Sequence, residues 1–221
     1  MLQWHLSLKY RRLRQYACVI KWVGGWRGGE TIWRFIDGTF RPTCRPGENE
    51  QFFYSGYKKR HGFKYQGIVC PDGLIGSIAR PFEGKANDFK MVRNSGVKED
   101  LCWVCQGHPQ IFLYGDQAYR WLWGIKGSYA GGRTLDYTHK RFNKTLSRVH
   151  IIVKQAFSDT QNLWLFNAFA LGFRPGSQPV AVYYMASVLL TNCFTCLQGN
   201  SAAGSKFPVQ PPTLEAYLSA I

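Results

Sequence analysis

RFIDGTF, residues 34–40, is an apolar run that stops on one carboxylate, Asp37, and passes at once into Gly38 and Thr39. Apolar residues running into an acid are the pattern of a buried strand whose last side chain reaches a cleft, where α/β proteins place catalytic or metal-binding aspartates. Further along the chain QIFLYGD (110–116) repeats the pattern and ends on Asp116. Both acids are therefore candidates for one site.

The segments between and around these runs indicate an α/β fold. FKYQGIVC (63–70) and LIGSIARPF (74–82) are β-prone and are separated by Pro71-Asp72-Gly73, the residues of a tight hairpin turn. RPTCRPGENEQ (41–51) reads as loop. NDFKMVRNSG (87–96) reads as a short helix with Asn87 as N-cap and Gly96 as stop, followed by the strand QIFLYGD that ends on Asp116. In NKTLSRVHIIVKQAFS (143–158), Leu146, Val149, Val153, Ala156 and Phe157 form one helical stripe, with Ser147, His150 and Lys154 on a neighbouring polar stripe. This order fits a mixed sheet of the ribonuclease H kind, and it fits other α/β folds too. Two strand-borne aspartates meeting at one edge repel unless a cation lies between them, and a divalent ion is the usual solution. The plain alternative is that Asp37 and Asp116 are only turn residues.

Charge narrows the partners. With 28 basic and 13 acidic residues in 221, the formal net charge is +15, which favours a polyanion: nucleic acid or an acidic membrane. Leu6, Tyr10, Leu13, Tyr16, Ala17 and Ile20 recur at helical spacing with Lys9, Arg11, Arg12 and Arg14 mainly on other faces, so the chain opens on an amphipathic basic helix. With the glycine-rich GGWRGGE that follows, residues 1–29 form a basic helical segment and linker, and residues 30–221 form the main domain. YKKRH (Lys58, Lys59 and Arg60) and HKRFNK (Lys140, Arg141 and Lys144) set basic residues beside aromatics, a composition suited to phosphates with occasional base stacking.

The seven cysteines and the lack of a signal-peptide pattern point to a reducing, intracellular compartment. The pairs Cys102/Cys105 and Cys193/Cys196 lie far beyond zinc-ribbon spacing and read as buried thiols; a zinc-stabilised scaffold is the third function class. VAVYYMASVLLTNCFTCL (180–197) is uncharged but interrupted by polar residues, so it reads as a core helix and not a membrane span.

Several motifs in one order carry a resemblance. WRFIDGTFRPTCRPG, YSGYKKRHGFKYQGIVCPDGLI, FEGKANDF, LYGDQAY and NKTLSRVHIIVKQAF resemble the DDE-type endonuclease domain of Harbinger-type transposases and their domesticated relatives, and LLTNCFTCLQG with PPTLEAYL resembles the tail of one branch. The likeness runs from about Tyr16 to Leu218. It implies a ribonuclease H-like fold, a nuclear protein, DNA as substrate, Mg²⁺ or Mn²⁺ as cofactor, and a companion Myb-like DNA-binding protein. It puts the catalytic, metal-holding acids at Asp37 and Asp116, and a further usual acid at Asp88, which also suits helix capping.

The third acid of the pattern, a glutamate three residues before a Phe, falls on Lys154. His150, one turn earlier, is the nearest substitute ligand, and Asp159 lies about 140° away around the helix. Gln117 and Arg120 stand where the pattern favours proline, and Ser158 where glycine is common. An upstream helix-turn-helix region is not represented. The expectation is a transposase-derived nuclease domain of impaired activity; the alternative is a non-catalytic DNA-binding or protein-interaction module.

Overall fold

The computed structural model describes residues 2–3, 6–25, 31–107, 110–119, 122–168, 172–202 and 204–219. Its strands are β1 (Leu2–Gln3), β2 (Thr31–Pro42), β3 (Tyr54–Ser55), β4 (Arg60–Val69), β5 (Ile75–Ile78), β6 (Phe82–Glu83), β7 (Ile111–Tyr114) and β8 (Ile125–Lys126). The helices are α1 (Leu6–Gly24), α2 (Glu50–Phe53), α3 (Asp88–Asn94), α4 (Val97–Gly107), α5 (Tyr137–Leu163), α6 (Val180–Gln198) and α7 (Leu214–Leu218). The strand order is β1-β5-β4-β2-β7-β8, with β3 and β6 attached to β4. β4 and β5 run antiparallel to their neighbours, whereas β7 and β8 continue the sheet in parallel from β2. This is a mixed open sheet flanked by helices, of the ribonuclease H-like kind.

β2 is the hub because it is apolar on both faces. Ile32 to Ile36 are all buried, as expected of a strand covered on either side. Phe35 faces a core built with Tyr65, Tyr114 and the α5 residues Phe142, Leu146, Val149 and Val153. Trp33 and Ile36 face a second core, with Leu13, Tyr16 and Ala17 from α1 and Leu101 from α4. The expected stripe on α5 is buried throughout, and α1 packs on β2 as part of the same fold. The glycine-rich stretch 26–30 lies outside the described residues.

The hairpin at Pro71-Asp72-Gly73 is present: Cys70 N–H donates to the Leu74 carbonyl, and Gly73 sits at φ +86°. Local sequence makes its acid a turn residue, but Asp72 points inward and is fully buried. It accepts hydrogen bonds from Tyr16 Oη at 2.5 Å, Arg12 Nη1 at 2.8 Å and Leu74 N at 3.2 Å. Burial pushes this carboxyl upward, and Tyr16 and Arg12 oppose the shift.

Other readings need correction. β2 does not stop at Asp37 but continues through Pro42, paired with β4. The loop 41–51 contains the start of α2, and helix α4 fills the stretch between α3 and β7, to which the sequence reading assigns no element. His150 is buried and not part of an exposed polar stripe. α6 is, among the described residues, a helix long and apolar enough to cross a membrane, with 44% of that window buried in the fold. Its buried Asn192 side chain accepts from Ile75 N at 2.9 Å and donates to the Ile75 carbonyl and Tyr217 Oη, both at 2.9 Å. That ties α6 and α7 to the outer part of the sheet.

Candidate active site

Register places the two aspartates side by side. The parallel pairing of β2 with β7 ends at Phe35 opposite Tyr114, and Asp37 and Asp116 lie two residues further on each strand path. Side chains alternate along a strand, so Asp37 continues the row of Phe35. Phe35 and Tyr114 both meet the His150 ring edge-on, with centroids 6.1 and 5.4 Å away, so this row lies beneath α5. β7 is four residues long, so β2 loses its parallel partner just before Asp37 while keeping β4 on its other side. That one-sided loss opens the cleft.

The cleft has a volume of about 890 Å³ and is lined by Asp37, Asp88, Asp116, His150, Lys154 and Lys64, together with Tyr57, Lys58 and Arg60. Asp37 Oδ1 accepts from Gly38 N at 2.7 Å, and Asp116 Oδ1 from Ala118 N at 2.9 Å. Burial raises the Asp37 carboxyl above the ordinary range; His150 and the Gly38 amide pull it down, and Asp116 and Asp88 push it up again. His150 is set by its Nε2, 3.1 Å from the Ile36 carbonyl. A carbonyl only accepts, so Nε2 carries the proton there.

Sequence reasoning undervalued Asp88. Capping of α3 is done by Asn87, whose side chain accepts from Lys90 N at 2.8 Å. Asp88 is free for the cleft and sits against Gly38, where a Cβ would come within 2.9 Å of its Oδ1. Burial and then Asp116 raise its carboxyl, and Lys64 lowers it. Lys64 was missed because its neighbours on β4 mark it only as one position of an alternating strand; its Nζ donates to the Ala86 carbonyl.

Lys154 is exposed on α5 one turn beyond His150 and lines the same cleft as the aspartates. Asp159 lies elsewhere, beside Leu163 and Phe194. The exposed Lys59 stands between Lys58 and Arg60. Lys140 lines a separate hollow of about 430 Å³ that includes Gln117, and its Nζ donates to the Arg133 carbonyl at 2.9 Å. Arg141 and Lys144 are exposed on the same helix. Lys58 and Arg60 thus line the aspartate cleft and Lys140 a different hollow; the two linings include the sequence neighbours Asp116 and Gln117 respectively. Ser158 is exposed on α5, and Arg120 lies outside the described residues.

A family model for DDE superfamily endonucleases matches residues 36–192, more than two-thirds of the chain. The chain belongs to this family. Neither curated proteins nor solved structures supply a match. The matched span of the endonuclease domain begins one residue before Asp37 and takes in Asp88, Asp116, His150 and Lys154.

Endonucleases of this superfamily generally use divalent metals. Asp37 and Asp116 offer hard oxygen ligands suited to such an ion. Among the described residues, however, no three His, Cys, Asp or Glu side chains are arranged to hold a metal. Asp37 and Asp116 are therefore the residues that would hold such an ion, with no third side chain among the described residues placed to join them. The same absence applies around the cysteines: Cys193 and Cys196 sit beside Leu74 and Tyr217, burial pushes Cys196 up to about 12, and the Cys105 side chain lies outside the described residues.

Proposed function

We propose that this is the nuclease domain of a Harbinger-like transposase that still receives DNA in the aspartate-bearing cleft but cuts it poorly. The observation that carries the reading is Lys154, an ammonium on the wall shared by Asp37 and Asp116. Asp37 and Asp116 would hold a divalent ion, which when bound supplies water activation and charge neutralisation for phosphodiester cleavage. The Ile36 carbonyl orients His150, which pulls the Asp37 carboxyl down against the upward push of burial. Lys58 and Arg60, in the same cleft, would draw in the phosphate backbone. Lys154 opposes a cation directly and can satisfy the aspartates in its place.

A second reading is favoured by the same lysine: a DNA-binding or protein-interaction module that has kept the cleft and lost the reaction. As a nuclease or a DNA-binding module the protein would act on nuclear DNA, and a Myb-like partner would supply sequence recognition. A nicking assay with Mg²⁺ and with Mn²⁺ separates the two. Lys154→Glu is expected to gain cleavage over the natural protein, and Lys154→Glu with Asp37→Ala to lose it. Fast cleavage by the natural protein would overturn the impaired-nuclease reading; no cleavage by Lys154→Glu, with DNA binding intact, favours the module.

A further inference from the structure

Tyr57 stands at the tip of the β3–β4 hairpin and is 87% exposed, more than any other large hydrophobic side chain among the described residues. One exposed aromatic means little by itself. This one has three further properties. It lines the same cleft as the aspartates and opens a basic run, with Lys58 Nζ 5.1 Å from its ring centroid and Arg60 lining that cleft too. The turn behind it holds Lys59 at φ +52°, a left-handed conformation that glycine or asparagine adopts with less strain. The hairpin therefore keeps a charge at its tip against its own backbone preference, and such strain collects at functional sites. Its base is firm: Tyr54 pairs with His61 and Ser55 with Arg60, and His61 Nε2 lies 2.9 Å from Glu50 Oε1.

The geometry points to Tyr57 as a base-stacking residue, which takes an unpaired base next to the phosphodiester that enters the aspartate cleft. Phosphates would be held by Lys58, Lys59 and Arg60, and the ring offers a flat apolar face that any base can meet. In continuous duplex the base faces are already stacked on one another. The preferred substrate class is therefore DNA with an unpaired base at a junction, nick or frayed end. This inference rests on the reading that the cleft receives DNA.

The test uses the full chain without metal and two DNAs carrying 2-aminopurine, one fully paired and one with the probe unpaired at a junction. The natural protein is expected to quench the unpaired probe and to bind the junction more tightly than the duplex. Tyr57→Ala should weaken junction binding roughly 5- to 150-fold and abolish the quench, with duplex affinity within about twofold. Tyr57→Phe and Tyr57→Trp should keep both signals. If Tyr57→Ala binds and quenches as the natural protein does, or Tyr57→Phe fails as alanine does, the stacking role is overturned while DNA binding stands. If the natural protein binds neither DNA, the reading of the cleft falls, and this inference with it. An unaltered DNA response joined to a protein partner lost on Tyr57→Ala would likewise overturn it.

Discussion

Replacing Lys154 in two steps, by Gln and by Glu, tests whether this side chain controls cation binding. Lys154 is exposed, so its charge acts through water-like screening and not through a dry interior. At ~6 Å and a dielectric near 80, a unit positive charge repels a divalent ion by about 1.4 kcal/mol. Lys154→Gln removes that repulsion, and Lys154→Glu adds an attraction of similar size. The expected gains in Mn²⁺ affinity are therefore about tenfold and about 100-fold. An effective dielectric nearer 20, usual for partly buried pairs, enlarges each step, and salt at ~0.1 M reduces it by roughly half at this distance.

Calorimetric titration with Mn²⁺ at fixed ionic strength reads these steps without any DNA. Lys144→Glu is the control: it lies ten residues earlier on α5, about 15 Å along the axis, beyond the ~10 Å screening length at 0.1 M salt. It should leave the affinity unchanged. Equal affinities for the natural protein, Lys154→Gln and Lys154→Glu would refute the reasoning, because the charge at 154 would then have no effect on an ion held by Asp37 and Asp116. A gain equally large in Lys144→Glu would refute it differently, by assigning the effect to net charge.

Lys58, Lys59 and Arg60 replaced together by Ala should reduce the salt slope of duplex binding by about 2–3 units, near 0.9 for each phosphate that is no longer neutralised; an unchanged slope means the cluster does not touch phosphate. Asp37→Asn should raise thermal stability near pH 7.5. Burial lifts the native carboxyl above its unfolded value near 4, so the folded state holds more protons and Asp37 costs stability as pH rises through its native titration. The advantage of Asn should shrink toward pH 4, and a variant melting below the natural protein at pH 7.5 contradicts this. Asn192→Ala leaves the Ile75 backbone groups and Tyr217 Oη without their partner, so it should cost about 2–3 kcal/mol, read as a melting drop of about 5–10 °C. No change in melting would show that α6 is not anchored there.

What the sequence made legible was whatever depends on local period. The α5 stripe, the Asn87 cap, the turn at Pro71-Asp72-Gly73 and the apolar runs of β2 and β7 each follow from spacing or turn chemistry within a few residues, and each is present. What escaped depends on partners far along the chain. β2 continues past Asp37 because β4 pairs with Gly38 through Pro42, and nothing in residues 38–42 announces that partner. His150 looked polar on its helix, yet it is buried because the Ile36 carbonyl, 114 positions away in sequence, accepts its proton. Lys64 and Asp88 joined the cleft only when the sheet and α3 had been assembled around Gly38.

Two Asp-Gly steps show why the site itself could be read only in part. Asp37-Gly38 and Asp72-Gly73 are alike locally, and both follow apolar strands. Asp72 turns into the core, where Arg12 and Tyr16 reach it from 60 and 56 positions away; that buried charge is matched. Asp37 turns into a cleft with Asp88 and Asp116, and among the described residues no ion pair within 4.0 Å engages any of the three. In a chain of 28 basic and 13 acidic residues, a carboxylate has more than two cations available for every acid. Three acids set together without a close ion pair, with burial and mutual repulsion both raising Asp37, form an arrangement that folding alone would not favour. Carboxylates that the fold gathers without pairing them are what a divalent ion would need, and Lys64 and Lys154 in the same cleft determine how strongly one could be drawn in.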